Sequence, residues 1–163
     1  MAAKDIFERL KVDHDRQRNW IERIENTSGD TPERRELFET FRIDIKAHAS
    51  SEEVVLYSQL MSEVDMREYA RHAAADHHEI DDAAKKVADT PYDSPAWLAN
   101  FKALKKTYLD HLKEEEETIF PDALKDIGEE RAVEMRDAFN ELKPEEVERQ
   151  EAGKDDKIAE HIG

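Results

Sequence analysis

Two stretches of this chain carry the residue types of a metal site at a spacing that could do chemistry. HASSEEVVLY (48–57) and HLKEEEETIFP (111–121) each open on a histidine with a glutamate four residues later, His48 with Glu52 and His111 with Glu115. Residues four apart lie one above the other on an α-helix. An imidazole and a carboxylate presented that way can reach one ion in a bundle core. Two further histidines, His14 in VDHDRQRNWIERI and His77 in ADHHEI, fall on apolar helix faces. Either pair alone is weak, because a lone core histidine is usually satisfied by its neighbours and an H-x-x-x-E pair is often only a helical hydrogen bond. Six such groups in phase with four apolar stripes are a different matter. Buried without a metal, they would cost roughly several kcal/mol each. Four histidines and two glutamates from four helices are the inventory of a carboxylate-bridged two-metal centre.

The elements that must position these residues read as helices throughout. A first helix runs from about Ala3 to about Asn26 with Phe7, Leu10, His14, Gln17, Ile21 and Ile24 inward. Thr31-Pro32 supplies a cap and a first-turn proline for a second helix reaching Met61, whose inner face holds Leu37, Phe41, His48, Glu52 and Val55. Asp65-Met-Arg-Glu68 has capping-box spacing and opens a third helix, from Met66 to Ala88, with Ala73, His77 and Ile80 inward. Ser94-Pro95 opens a fourth, carrying Trp97, Phe101, Leu104, Tyr108, His111 and Glu115 and bent or interrupted at Pro121. A shorter helix over Glu129–Leu142 closes one end through Val133, Met135 and Phe139. From Pro144 the chain reads as a charged, weakly apolar and mobile tail with room for helical pieces. The expected fold is therefore all-α: an antiparallel up-down-up-down four-helix bundle over residues 1–143, followed by a tail over 144–163. At about 1.5 Å per residue the facing arms of the second and third helices match to within about a turn and those of the third and fourth more loosely, and a bundle with short loops then puts all six groups in one layer.

Composition bounds the rest. A chain of 163 residues is read as one domain, and its mean hydropathy of -0.92 suits a bundle with wide solvated faces. A net charge of -16 argues against nucleic acid or an anionic membrane as partner. The absence of cysteine excludes disulfides, thiolate ligands and iron–sulfur clusters. The opening MAAKDIFERL lacks a signal peptide's apolar region, and no apolar run reaches spanning length, so a cytoplasmic protein is expected. His72, His78 and His161 are out of phase or in the tail, and the Glu114–Glu117 run is a solvated face with Glu115 turned in and Glu116 as its nearest substitute. Tyr57, Tyr108, Trp20 and Trp97 read as core or interface aromatics.

Through VDHDRQRNWIERI, HASSEEVVLY, ADHHEI and HLKEEEETIFPDAL, the chain resembles the hemerythrin-like HHE cation-binding domains over about residues 4–125. The resemblance implies a four-helix bundle holding a non-haem di-iron centre, two Fe ions with an oxo or hydroxo bridge. His14 and His48 would bind one iron, His77 and His111 the other, with Glu52 and Glu115 bridging. The sequence departs from the oxygen-carrying hemerythrins at Ala73, where those proteins have a second histidine on the third helix. Tyr108, Asp81 and Glu53 are candidate replacements, and Gln17 and Asp44 candidate partners that orient the imidazoles. An open position favours reaction with O2, peroxide or NO, with catalase- or peroxidase-like turnover, over O2 storage. The alternatives are an oxygen or iron sensor or iron-handling module, and a metal-free interaction protein. A sensor would call for an output domain, whereas the sequence offers a short charged tail.

Overall fold

The computed structural model describes residues 2–153, and every regular element among them is helical. In chain order these are α1 (Ile6–Glu25), α2 (Pro32–Glu52), α3 (Ser58–Ser62), α4 (Arg67–Ala88), α5 (Pro95–Glu114), α6 (Phe120–Ile127) and α7 (Glu129–Glu151). A π turn over Glu53–Tyr57 joins α2 to α3, and a second over Glu115–Ile119 joins α5 to α6, so each of these pairs is one continuous rod. The four rods form a ring in which α1 packs on α2 and α5, and α4 on α5 and α2.

Local chemistry explains most of the starts. Asp5, Thr31 and Ser94 each accept a backbone N–H from the first turn of α1, α2 and α5, and Pro32 and Pro95 occupy the first helical turn behind their caps. The capping box expected at Asp65 does not form: α4 begins at Arg67 behind Met66, with no side-chain cap. Gly128, at φ 82, turns the chain from α6 into α7, a backbone region that glycine enters without steric cost.

Two expectations about prolines need correction. Pro121 does not end its helix, because the π turn before it has already loosened the backbone bonding and α6 resumes at Phe120 with the proline in its first turn. Pro144 does not end one either. α7 continues to Glu151 and packs along α1 and α2, so the segment from 144 to 151, read as mobile, is helical. Lys143, Glu146 and Gln150 are buried on this segment, and their polarity is what hid this face from a hydrophobic reading. Ala132, Met135 and Phe139 are buried on the same helix, with Val133 only half-buried. The remaining tail, including His161, lies outside the described residues.

The core has two apolar clusters. One gathers Ile21, Phe38, Phe41, Ile80, Trp97 and Phe101; the other gathers Phe7, Leu10, Leu56, Leu60, Phe120 and Phe139. The polar layer falls between them, which is why the stripe on each rod is interrupted near its middle. No helix among the described residues is long and apolar enough to cross a membrane.

Candidate metal centre

All six residues singled out by spacing, His14, His48, Glu52, His77, His111 and Glu115, are buried in that layer. They form two groups able to hold a metal ion: His14, His48, Glu52 and Glu115, and Glu52, His77 and His111, with donor atoms within 4.8 Å of one another in each. The carboxylates connect the two. Glu52 turns Oε2 toward His48 Nε2 at 3.6 Å and Oε1 toward His77 Nε2 at 3.5 Å. Glu115 Oε1 lies 3.4 Å from both His14 Nε2 and His111 Nε2. Each glutamate thus faces one histidine of either pair. The ring centroids within the pairs His14/His48 and His77/His111 are 5.0 Å apart.

The outer nitrogen of every imidazole is tied to a carboxylate. His14 Nδ1 is 2.6 Å from Glu116, His48 Nδ1 2.8 Å from Asp13, His77 Nδ1 2.6 Å from Glu53 and His111 Nδ1 2.9 Å from Asp76. A carboxylate on Nδ1 fixes the tautomer with its proton there and leaves the Nε2 lone pair for a metal. Inside the layer, His14 Nε2, His48 Nε2, both oxygens of Glu52 and Glu115 Oε1 are buried without a hydrogen-bond partner. Five orphaned donor atoms converging on one volume are costly as they stand and are what a pair of cations would satisfy. The donor set fits the group that the resemblance implies.

The partners differ from those expected. Gln17 and Asp44 bond each other at 2.9 Å instead of orienting imidazoles, and Tyr108 donates to Gln17. None of the three candidate replacements for the missing histidine enters the donor set: Tyr108 is held by Gln17, Asp81 pairs with Lys46 at 3.4 Å, and Glu53 serves His77. Ala73 itself is packed inside the second apolar cluster. Tyr57, read as a core aromatic, donates its O–H to Glu115 Oε2 at 2.6 Å.

A repeat in the sequence could have revealed these partners. Asp-His followed by His-x-x-x-Glu-Glu occurs twice, as Asp13-His14 with His48 to Glu53 and as Asp76-His77 with His111 to Glu116. In both copies the Asp serves the histidine of the next rod, and the second Glu serves the single histidine of the opposite copy. The π turns belong to this pattern. Five residues on, an α-helix has rotated by about 140°, which would aim Tyr57 and Phe120 away from the glutamates. The wider π turn brings both back: Tyr57 reaches Glu115, and Phe120 stacks on His14 at 6.0 Å.

His72 and His78 are exposed, as expected. His72 Nε2 bonds Glu114 at 2.8 Å beside Asp76, an ion pair at the surface.

Burial pushes the Glu52 carboxyl up, and the charge of Glu115 adds to it, to about 8. Burial raises Glu115 as well, but His111 and His14 outweigh it and hold that carboxyl well below the usual range. Without metal, the pair therefore holds a proton on Glu52 at neutral pH, above the ordinary value of 4.5 and lost only near 8. A cation must displace it. Metal uptake should release more protons per chain at pH 6.5 than at pH 9, with apparent affinity rising over that interval. They come from Glu52 and from His14 and His48, where burial is outweighed by neighbouring carboxylates that raise both imidazoles. Calorimetric titration in buffers of different ionisation enthalpy reads the proton count. The same pH dependence in Glu52→Gln as in the wild type would remove Glu52 from the donor set.

Comparisons with known proteins bear on the fold and the family. The model of the Hemerythrin HHE cation binding domain matches residues 5–123. The fold is similar to the crystal structure of a Hemerythrin HHE cation binding domain-containing protein, an Rv2633c homolog from Mycobacterium kansasii. That similarity has a TM-score of 0.80 at 18% identity and covers 99% of each chain. No curated protein matches the sequence. The matched residues run from the cap of α1 to the middle of α6 and contain all six donors, so the chain belongs to the hemerythrin HHE cation-binding domain family.

Proposed function

We propose that the chain is a non-haem di-iron protein of the cytoplasm that binds or reacts with O2, peroxide or NO, with peroxide decomposition as its activity. His14 and His48 would hold one iron, His77 and His111 the other, and Glu52 and Glu115 would be shared. The observation that carries this reading is the set of orphaned donor atoms in the layer, in which each glutamate faces both histidine pairs. Imidazole and carboxylate donors without sulfur suit iron, manganese or zinc, and iron would supply one-electron chemistry toward small oxygen and nitrogen ligands.

The protein's own part is positioning and exclusion. Ala73 leaves the His77/His111 position without the second histidine that the oxygen carriers have on this helix, so it is the one that an outside ligand would complete. Phe120 against His14 and Phe139 edge-on to His48 at 5.9 Å close the other side with apolar rings. Tyr57 keeps a proton beside the site: burial, then the charges of Glu115 and Glu52, raise its phenol well above the ordinary value, and its O–H stays on Glu115 Oε2.

The test is iron per chain and the visible spectrum, before and after peroxide. About two irons with ferric charge-transfer absorption and consumption of peroxide over many turnovers are expected. A stable adduct without turnover would favour the sensor reading instead. No iron taken up after anaerobic ferrous addition would overturn the proposal.

A further inference from the structure

The residues matched by the family model end at 123, whereas α7 begins at Glu129. This helix sends one charged side chain into the bundle. Lys143, 5% exposed, places Nζ 2.9 Å from Asp13 Oδ2 and 3.1 Å from Asp44 Oδ1. Asp13 Oδ2 is the same atom that lies 2.8 Å from His48 Nδ1. The other oxygen of Asp13 receives Arg9 at 2.7 Å and Arg16 at 2.8 Å. The carboxylate that orients His48 is thus fixed by three cations, and one turn before Lys143 the ring of Phe139 lies edge-on to the same imidazole.

The equivalent carboxylate in the other copy of the repeat is set differently. Asp76, on α4, receives His111 at 2.9 Å and has half-exposed His72 3.6 Å away. Its side chain is 20% exposed, against 0% for Asp13. His48 is clamped through a carboxylate that a lysine from α7 holds, and His111 is steadied by one open to water, while Glu116 on His14 is partly exposed and Glu53 on His77 is buried. Partners that hold a ligating imidazole in orientation change metal affinity by about 10–100-fold when removed.

We propose that Lys143 is a positioning residue that acts through Asp13 on His48 and makes the two metal positions unequal, the His14/His48 position holding its ion more tightly and the His77/His111 position exchanging it. The inference rests on the two-metal reading above and adds an order to it. Lys143 touches none of the six donors, so its effect on an ion passes through Asp13.

The experiment follows transfer of ferrous iron from the anaerobically loaded full chain to a chelator. The wild type should release its iron in two phases of unequal rate. Lys143→Met should speed the slow phase about 10–100-fold and leave the fast phase alone, and Lys143→Arg should restore it. Should Lys143→Met fail to fold, Lys143→Gln, which keeps a donor without the charge, gives the same reading. A lysine that only anchors α7 would lower thermal stability while leaving the ratio of the phases unchanged, and that result, or failure of arginine to rescue, overturns the proposal. A single phase in the wild type with two irons bound overturns it as well. A chain that binds fewer than two irons fails the two-metal reading instead.

Discussion

Replacing Glu52 with alanine should empty both metal positions together, and Glu115→Ala should do the same, whereas His48→Ala should leave about one ion per chain. The difference follows from which imidazoles each carboxylate faces. Glu52 lies between His48 and His77 and belongs to both groups, and Glu115 Oε1 lies between His14 and His111, so the loss of either removes a carboxylate that faces both histidine pairs. His48 faces only Glu52 and belongs to one group. His78, exposed on α4, is the control and should change nothing. The metal-free Glu52→Ala protein should fold at least as well as the wild type, because the change removes two buried oxygens that have no hydrogen-bond partner. Loss of metal with retained stability separates a missing ligand from a broken fold. Equal metal content in all the variants and the wild type would place the ions elsewhere.

Stripping the metal from the wild type should lower its melting temperature by roughly 8–16 °C. A ligand that binds only the folded state contributes about 4 kcal/mol at a thousand times its dissociation constant. For a chain of this length each kcal/mol moves the transition by about 2–4 °C. The cause lies in the layer between the two apolar clusters, where Glu52 and Glu115 face each other among imidazoles and raise the Glu52 carboxyl. Calorimetry with and without chelator measures the shift, and returning ferrous iron should reverse it. An interaction protein with hydrogen-bonded His–Glu pairs and no metal would melt at the same temperature in both samples.

Much of the candidate site was legible because helical periodicity is a one-dimensional signal. His48 with Glu52 and His111 with Glu115 needed only the four-residue spacing, and His14 and His77 only the phase of Phe7, Leu10, Ala73 and Ile80 around them. The caps at Thr31 and Ser94 were equally local. The imidazole partners were not, since they bridge helices. Looking one turn away on the same helix selected Gln17 and Asp44, while the structure uses Asp13, Asp76, Glu53 and Glu116 from neighbouring rods. The π turns escaped because their signature is a register shift with no composition of its own: Val54 is exposed while Glu53 and Tyr57 are buried. The far half of α7 escaped for a third reason. Its buried face is Lys143, Glu146 and Gln150, and a proline stands inside it, so both pattern and breaker pointed to a tail.

The crossed supply of side chains has a bearing on how the molecule opens. The α1–α2 hairpin lends Glu52 and Glu53 to the histidines of the α4–α5 hairpin, and receives Glu115 and Glu116 in return. Neither hairpin owns a complete set of donors. Parting them along their seam would dismantle both candidate ion positions in one event, a route separate from the exchange of a single ion in the closed bundle. Any cation held there acts as a rivet through both hairpins, merging what could be two independent folding units into one.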